Sequence, residues 1–199
     1  MKGSLVRDEI MPYLRKNLTK ERLGHTMAVA LLAQRLAHRH GLNPERARLA
    51  ALLHDSAKCR KGRYAKGKEL VKYARKYKVK APDMEETCRE RPKLLHAYVG
   101  AHLAKRRFGV RDKQVLSAIS KHTLGSEAMS DFDKCVFMAD LVSYDRKFGG
   151  VRRLRNLAMK DLDRAFIEGL RIKLCSTVRD GQWVHPESVR VWNKWGTDE

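Results

Sequence analysis

The sequence predicts an all-α fold, a single helical bundle, on three observations. Apolar residues recur at three- and four-residue steps through almost every segment, as they do on a helix with one buried face. Capping residues stand at the starts of these segments and glycines just past several of their ends. No segment alternates apolar and polar residues as a half-buried strand does.

Taken in order, the first strong element runs from Lys20 to His40, with Leu23, Met27, Ala30, Leu31, Ala33 and Ala37 on one face. Thr19 suits its N-cap and Gly41 the position beyond its end. Asn43-Pro44 restarts a helix, with Asn as cap and Pro in the first turn. Ala47, Leu49, Ala50, Leu52 and Leu53 carry it to His54-Asp55. The stretch CRKGRYAKGK reads as a loop, followed by a helix around Glu69 to Tyr77. After Ala81-Pro82 another helical stretch breaks at Arg91-Pro92 and resumes through Leu94, Leu95, Val99 and Leu103 to Phe108, where Gly109 ends it. Asp112 caps a helix through Val115, Leu116 and Ile119 that stops near His122-Thr123, and LGSEAMS is a turn. Helices follow over Phe132 to Phe148, Val151 to Met159 and Leu162 to Val178, with a short one after Pro186.

A chain of 199 residues suffices for one domain, able to bury roughly 70% of the surface it exposes when unfolded. No repeat, low-complexity tract or compositional break divides it. No apolar run is long enough to span a membrane, and charge at Arg7, Asp8 and Glu9 interrupts any signal-peptide core, so a cytoplasmic location is expected. Cys59, Cys88, Cys135 and Cys175 form no CxxC pair and read as free thiols rather than disulfides or zinc ligands.

Lys and Arg total 43 against 23 Asp and Glu, a formal charge of +20 that attracts anions such as nucleotides, polyphosphates or nucleic acid. The stretch from Lys58 to Lys80 holds eleven basic residues and one acid, Glu69, which fits an anion-binding segment or simply a solvated loop and helix face.

Chemistry enters with histidine and aspartate. His25, His54, His96 and His122 each follow apolar residues at helical spacing, whereas His38, His40, His102 and His185 sit in basic or loop settings. Asp55 ends the nearly apolar run ARLAALLHD, and Asp140 lies between VFMA and LV. A carboxylate buried there without a partner would cost several kcal/mol, so a cation is expected beside each. Two such acids with several imidazoles suggest a mixed nitrogen and oxygen metal site, the alternative being a buried His–Asp hydrogen-bond network. A divalent ion held this way would lower the pKa of water and screen phosphate oxygens. Lys58, one helical step past Asp55, Arg22, one step before His25, and Arg146, six residues after Asp140, are either cations of that site or surface salt-bridge residues.

The series His25, His54-Asp55 and Asp140 resembles the H…HD…D signature of HD-domain phosphohydrolases. Finer matches resemble one branch, the YqeK family of symmetrical diadenosine-tetraphosphate hydrolases, sometimes linked to NAD metabolism. They are RLGH at 22–25, LLHDSAK at 52–58, LLHAYVGAH at 94–102, AISKHTLG at 118–125, MSDFDK at 129–134, DLDRA at 161–165 and WVHPESV at 183–189. The resemblance implies a single HD domain over 1–199, with a metal-site core of about 18–147 and C-terminal helices of about 150–195 packed on it. It implies that His25, His54, Asp55 and Asp140 hold a metal ion, iron before manganese or another transition metal. His96 and His122 would complete the site, as ligands of a second ion through a shared Asp55 or as phosphate contacts. Asp55 and Lys58 would serve the catalytic step, and Arg22, Lys58, Thr123 and Arg146 would face the polyphosphate. The implied reaction is hydrolysis of diadenosine tetraphosphate by metal-activated water to two ADP.

Two departures stand beside these matches. The basic run after Lys58 is richer in Lys and Arg than the family pattern, fitting tighter polyphosphate binding, RNA recruitment or merely the host's proteome. Where that family usually reads IEPxR, this chain has Val142-Ser143-Tyr144-Asp145-Arg146. Two other functions compete: an HD-type nucleotidase or phosphodiesterase acting on other nucleoside phosphates, and a basic nucleic-acid-binding helical protein. The latter has little aromatic interleaving beyond Tyr64, Tyr73 and Tyr77 to offer stacked bases.

Overall fold

The computed structural model describes residues 2–58 and 67–197, and every regular element among them is helical. The order is α1 (Lys2–Asn17), α2 (Lys20–Arg39), α3 (Pro44–Leu53), α4 (Gly67–Lys76), α5 (Met84–Glu90), a 3-10 turn (Pro92–Leu95), α6 (His96–Arg107), α7 (Lys113–Lys121), α8 (Asp131–Leu141), α9 (Val151–Lys160), α10 (Leu162–Arg179) and α11 (Pro186–Trp195). The fold is therefore all-α, as the periodicity predicts.

Local chemistry explains the starts. Thr19 accepts a hydrogen bond from the Arg22 amide, Asn43 from Arg46, and Asp112 from Gln114 and Val115. Ser130 and Asp133 form a reciprocal capping box at the head of α8. Gly41 and Gly109 follow their helices with positive φ, which a side chain would resist.

Helix α8 is the central rod, buried continuously from Phe132 to Ala139. Around it α2 contributes Val29, Leu32, Ala33 and Leu36, and α10 contributes Phe166. Gly169 lets α10 approach, since a Cβ there would lie 2.8 Å from the Leu141 side chain and 3.0 Å from Met138 Sδ. Gly100 does the same for α6, where a Cβ would press to 3.3 Å from the His54 carbonyl. A smaller core joins Leu70, Tyr73 and Ala74 of α4 to Leu95, Val99 and Leu103 near and on α6.

Two sequence expectations need amendment. Helix α1, unassigned from sequence, forms and buries Ile10 and Leu14, with Leu18 just beyond it. The helix expected over 132–148 stops at Leu141, because the Arg155 guanidinium donates to the carbonyls of Val142 and Ser143 and holds the chain in turns. The loop expected at CRKGRYAKGK lies outside the described residues over 59–66, and α4 already begins at Gly67. Of the basic stretch, Lys68, Lys72, Arg75, Lys76, Lys78 and Lys80 are exposed. Cys88, Cys135 and Cys175 are free thiols; Cys59 lies outside the described residues.

Candidate metal centre

Three of the four candidate histidines are placed by one device. His54, His96 and His122 each stand at or just past the last turn of a helical element. Each turns its Nδ1 back to the carbonyl three residues earlier: Ala51 at 2.6 Å, Lys93 at 2.7 Å and Ile119 at 2.7 Å. A carbonyl only accepts, so Nδ1 carries the proton and Nε2 of each neutral ring presents a lone pair. The three Nε2 atoms converge on Asp55, at 3.5 Å for His54, 3.5 Å for His96 and 3.7 Å for His122.

These lone pairs lack enough protein donors. His54 Nε2 is fully buried without a hydrogen-bond partner among the described residues, and the equally buried Asp55 Oδ1 has only its ion pair with Lys58 Nζ. His96 Nε2 and His122 Nε2 face each other at 3.1 Å, and the single hydroxyl proton of Thr123, 3.1 and 2.9 Å away, can serve only one of them. Buried acceptors pointed at one another cost free energy unless a cation lies among them. The donor chemistry fits a metal ion. Three sets of ligand atoms lie within 4.8 Å of one another: His25, His54 and Asp55; His54, His122 and Asp140; and Asp55, His96 and His122.

The other side of the centre is built differently. His25 is clamped between two carboxylates, Nε2 to Asp140 Oδ1 at 2.9 Å and Nδ1 to Asp145 Oδ2 at 2.8 Å. Arg146 folds back onto Asp140, bonding its side chain at 2.7 Å and its carbonyl at 3.0 Å. In an unbroken helix residue i+6 sits roughly 240° round from residue i, so this contact exists only because α8 ends at Leu141.

Cations close the site over Asp55, with Arg22 Nη1 at 2.7 Å from Oδ2 and Lys58 Nζ at 2.9 Å from Oδ1. Arg22 and Lys58 are partly exposed while Asp55 is buried, so their charged ends mark the open face. Burial pushes the His54 imidazole down to about 4, and burial with the Lys58 charge holds His96 well below its ordinary range. Burial alone would raise the Asp55 carboxyl, but His54, His122 and Lys58 outweigh it and hold it well below the carboxylate range. The same opposition, won by His25, His54 and His122, depresses Asp140. Burial also works against a charge on His25, yet its two carboxylate neighbours raise its pKa.

All ten residues singled out from sequence thus meet in one place: His25, His54, Asp55, Asp140, His96, His122, Arg22, Lys58, Thr123 and Arg146. Asp145 went unassigned. Its signal was the segment in which the acid expected at 143 is replaced by Ser143 while an acid stands at 145.

A model of the HD domain matches residues 22–145, the span containing all of these side chains except Arg146, which follows it directly. The chain belongs to the HD-domain family. Within it, the chain is 33% identical over 187 residues to the symmetrical bis(5'-nucleosyl)-tetraphosphatase of Bacillus subtilis, covering 94% of this chain and 96% of that one. It is 31% identical over 188 residues to the enzyme of the same name from Halalkalibacterium halodurans, with the same coverage. At these identities over nearly full length, it belongs to that branch of HD hydrolases. A crystal structure of a predicted HD superfamily hydrolase involved in NAD metabolism from Clostridium acetobutylicum superposes with a TM-score of 0.86. The two are 31% identical, and the match covers 95% of this chain and 96% of that one. As an HD-domain enzyme this hydrolase uses a divalent metal, and its His/Asp cluster offers the ligands.

Proposed function

We propose that this HD hydrolase cleaves diadenosine tetraphosphate symmetrically, adding one water across the central phosphoanhydride to give two ADP. The observation that supports it most directly is the orphaned His54 Nε2 beside the buried Asp55 carboxylate, inside a ring of guanidinium and ammonium groups. Full-length relatives that carry this activity in their names support the choice of substrate.

In this reading His25, His54, Asp55 and Asp140 hold iron, and His96 and His122 hold a second ion with Asp55. Iron suits a donor set of imidazoles and carboxylates without thiolate. The bound metal supplies an activated water and neutralises phosphate charge. Arg22, Lys58 and Arg146 stand where they can grip the polyphosphate oxygens and balance charge on the departing ADP. Thr123 stands against the imidazoles of His96 and His122, and once a metal takes their lone pairs its hydroxyl proton is free for a phosphate oxygen. Asp55 and Asp140 orient the imidazoles and the cations around them. The overall +20 charge steers a polyanionic substrate toward this face.

The nucleic-acid reading gains little. Tyr73 and Tyr77 pack against each other, with His102 beside both and Arg106 over Tyr77, so neither is a free stacking platform. No described helix is long and apolar enough to cross a membrane.

The test is product analysis on protein purified and loaded with iron without oxygen. ADP as the sole nucleotide product is the expected outcome. AMP with ATP, or intact substrate beside turnover of another nucleoside phosphate, would move the chain to the competing nucleotidase or phosphodiesterase reading.

A further inference from the structure

Beside the metal centre lies a cavity of about 210 Å³ that no part of the proposed hydrolysis has yet used. Thr123 belongs to both: its hydroxyl touches His96 and His122, and the residue lines the cavity. Leu94, Leu124 and Trp183 supply apolar and aromatic walls, and Gln182 a polar edge. Lys173 stands at the junction. Its ammonium donates to the Thr123 carbonyl at 2.6 Å and lies 4.6 Å from the Phe137 ring centre, which leaves further N–H donors for an anion. Burial draws Lys173 down to about 8, and the Asp140 carboxylate works against that fall, so this amine feels the metal centre's charge.

We infer that this cavity takes one nucleoside end of the substrate, the base against Trp183 and the Gln182 edge, with Lys173 meeting the phosphate that joins it to the metal centre. The inference rests on the dinucleoside-polyphosphate reading above and locates where one base goes. Three features favour a nucleoside over another occupant. The cavity and the metal centre share Thr123. The cavity pairs an aromatic face with a small number of polar groups, the make-up of a pocket that orients a flat heteroaromatic ligand. Of the two cations that line it, Lys173 holds the Thr123 carbonyl beside the metal centre, where the nucleotide's charge begins, and Arg91 donates to the Gln182 side chain at 2.6 Å.

The experiment is calorimetric titration of ADP, and separately of inorganic tripolyphosphate, into the metal-loaded full chain. Base–aromatic stacking is worth enough that Trp183→Ala should weaken ADP binding by about tenfold or more. Tripolyphosphate affinity should stay unchanged, and Trp183→Phe should keep most of the ADP affinity. Unchanged ADP binding in a folded Trp183→Ala, or equal losses for both ligands, would overturn the inference. If thermal unfolding shows that Trp183→Ala does not fold, Leu174→Trp fills the same cavity. It should give the same selective loss, and ADP binding at wild-type strength there would also overturn it. The two readings fail separately. Wild type that binds ADP in this pattern but leaves diadenosine tetraphosphate intact loses the reaction and keeps the cavity. Wild type that cleaves it, with KM unmoved in Trp183→Ala, loses the cavity and keeps the reaction.

Discussion

Two buried histidine clusters in this molecule look alike in a sequence and differ in what their atoms lack. His185 is as deeply buried as the metal-centre histidines, at 2% exposure beside 0% for His54. Yet His185 is fully satisfied. Its Nδ1 accepts the Glu187 amide at 3.0 Å, and its Nε2 donates to the Thr87 hydroxyl at 2.8 Å, which passes its own proton to the Asp83 carbonyl. Arg190 then ties Asp83 and Glu187 together. At the metal centre the same residue type ends in lone pairs with too few donors. Burial of an imidazole is therefore no functional signal by itself. Convergent acceptors with their donors already spent are.

The sharpest way to break this contrast is at Asp55, toward which His54, His96 and His122, Arg22 and Lys58 all turn. Asp55→Ala should abolish hydrolysis and metal retention together, a loss beyond the roughly 10–100-fold that removing a supporting residue costs. Elemental analysis beside turnover checks it. Retained metal with full activity would place the centre elsewhere.

Asp145 comes next. It touches His25 on the nitrogen opposite Asp140, so it fixes the ring's orientation from behind. Asp145→Ala should weaken metal affinity by about 10–100-fold, and Asp145→Asn, which keeps an acceptor oxygen, by less. A chelator competition on folded protein reads this without any substrate.

These two aspartates also show what could be read from the chain and what could not. Asp55 was legible because an acid closing an apolar helix has to be explained by a cation. His54, His96 and His122 were legible as a set through the apolar residues that precede each of them, although their shared carbonyl anchor was not. Asp145 was hidden because its contact depends on where α8 stops. Periodicity carried that helix on to Phe148, and the carbonyl grip of Arg155 that ends it comes from a separate helix. Cap-to-cap boundaries such as Thr19 to Gly41 needed only local chemistry and were read correctly. The cavity at Trp183 required α10, the 122–125 turn and the 182–188 segment to meet, which no local pattern states.

On the satisfied side of the comparison the effects should be smaller and confined to stability. Thr87→Val keeps the shape and strands the His185 Nε2–H, which should cost about 1–3 kcal/mol in urea unfolding. Metal content and turnover per folded molecule should not move. If they do, the two clusters are coupled, and the distinction drawn between them is wrong.

The finest test uses protons. Burial lowers the pKa of His185, so folded His185 stays neutral at pH values where the unfolded chain, with an ordinary value of 6.5, takes up a proton. Its share of stability is thus fully present above pH 6.5 and is lost as pH falls from there toward the folded pKa. In metal-free protein, His185→Gln should flatten the fall in stability between pH 7.5 and 5.5. The change is bounded at about 1.4 kcal/mol per pH unit for one proton. To the slope that remains, His54, held at about 4, His96 and His102 contribute in the same sense, while His25, raised by its carboxylates, opposes them. Loading the metal should then steepen that remainder, because ligand imidazoles must stay unprotonated to keep it. An unfolding series with and without metal, in wild type and His185→Gln, separates a histidine that is merely buried from those that are waiting for a cation.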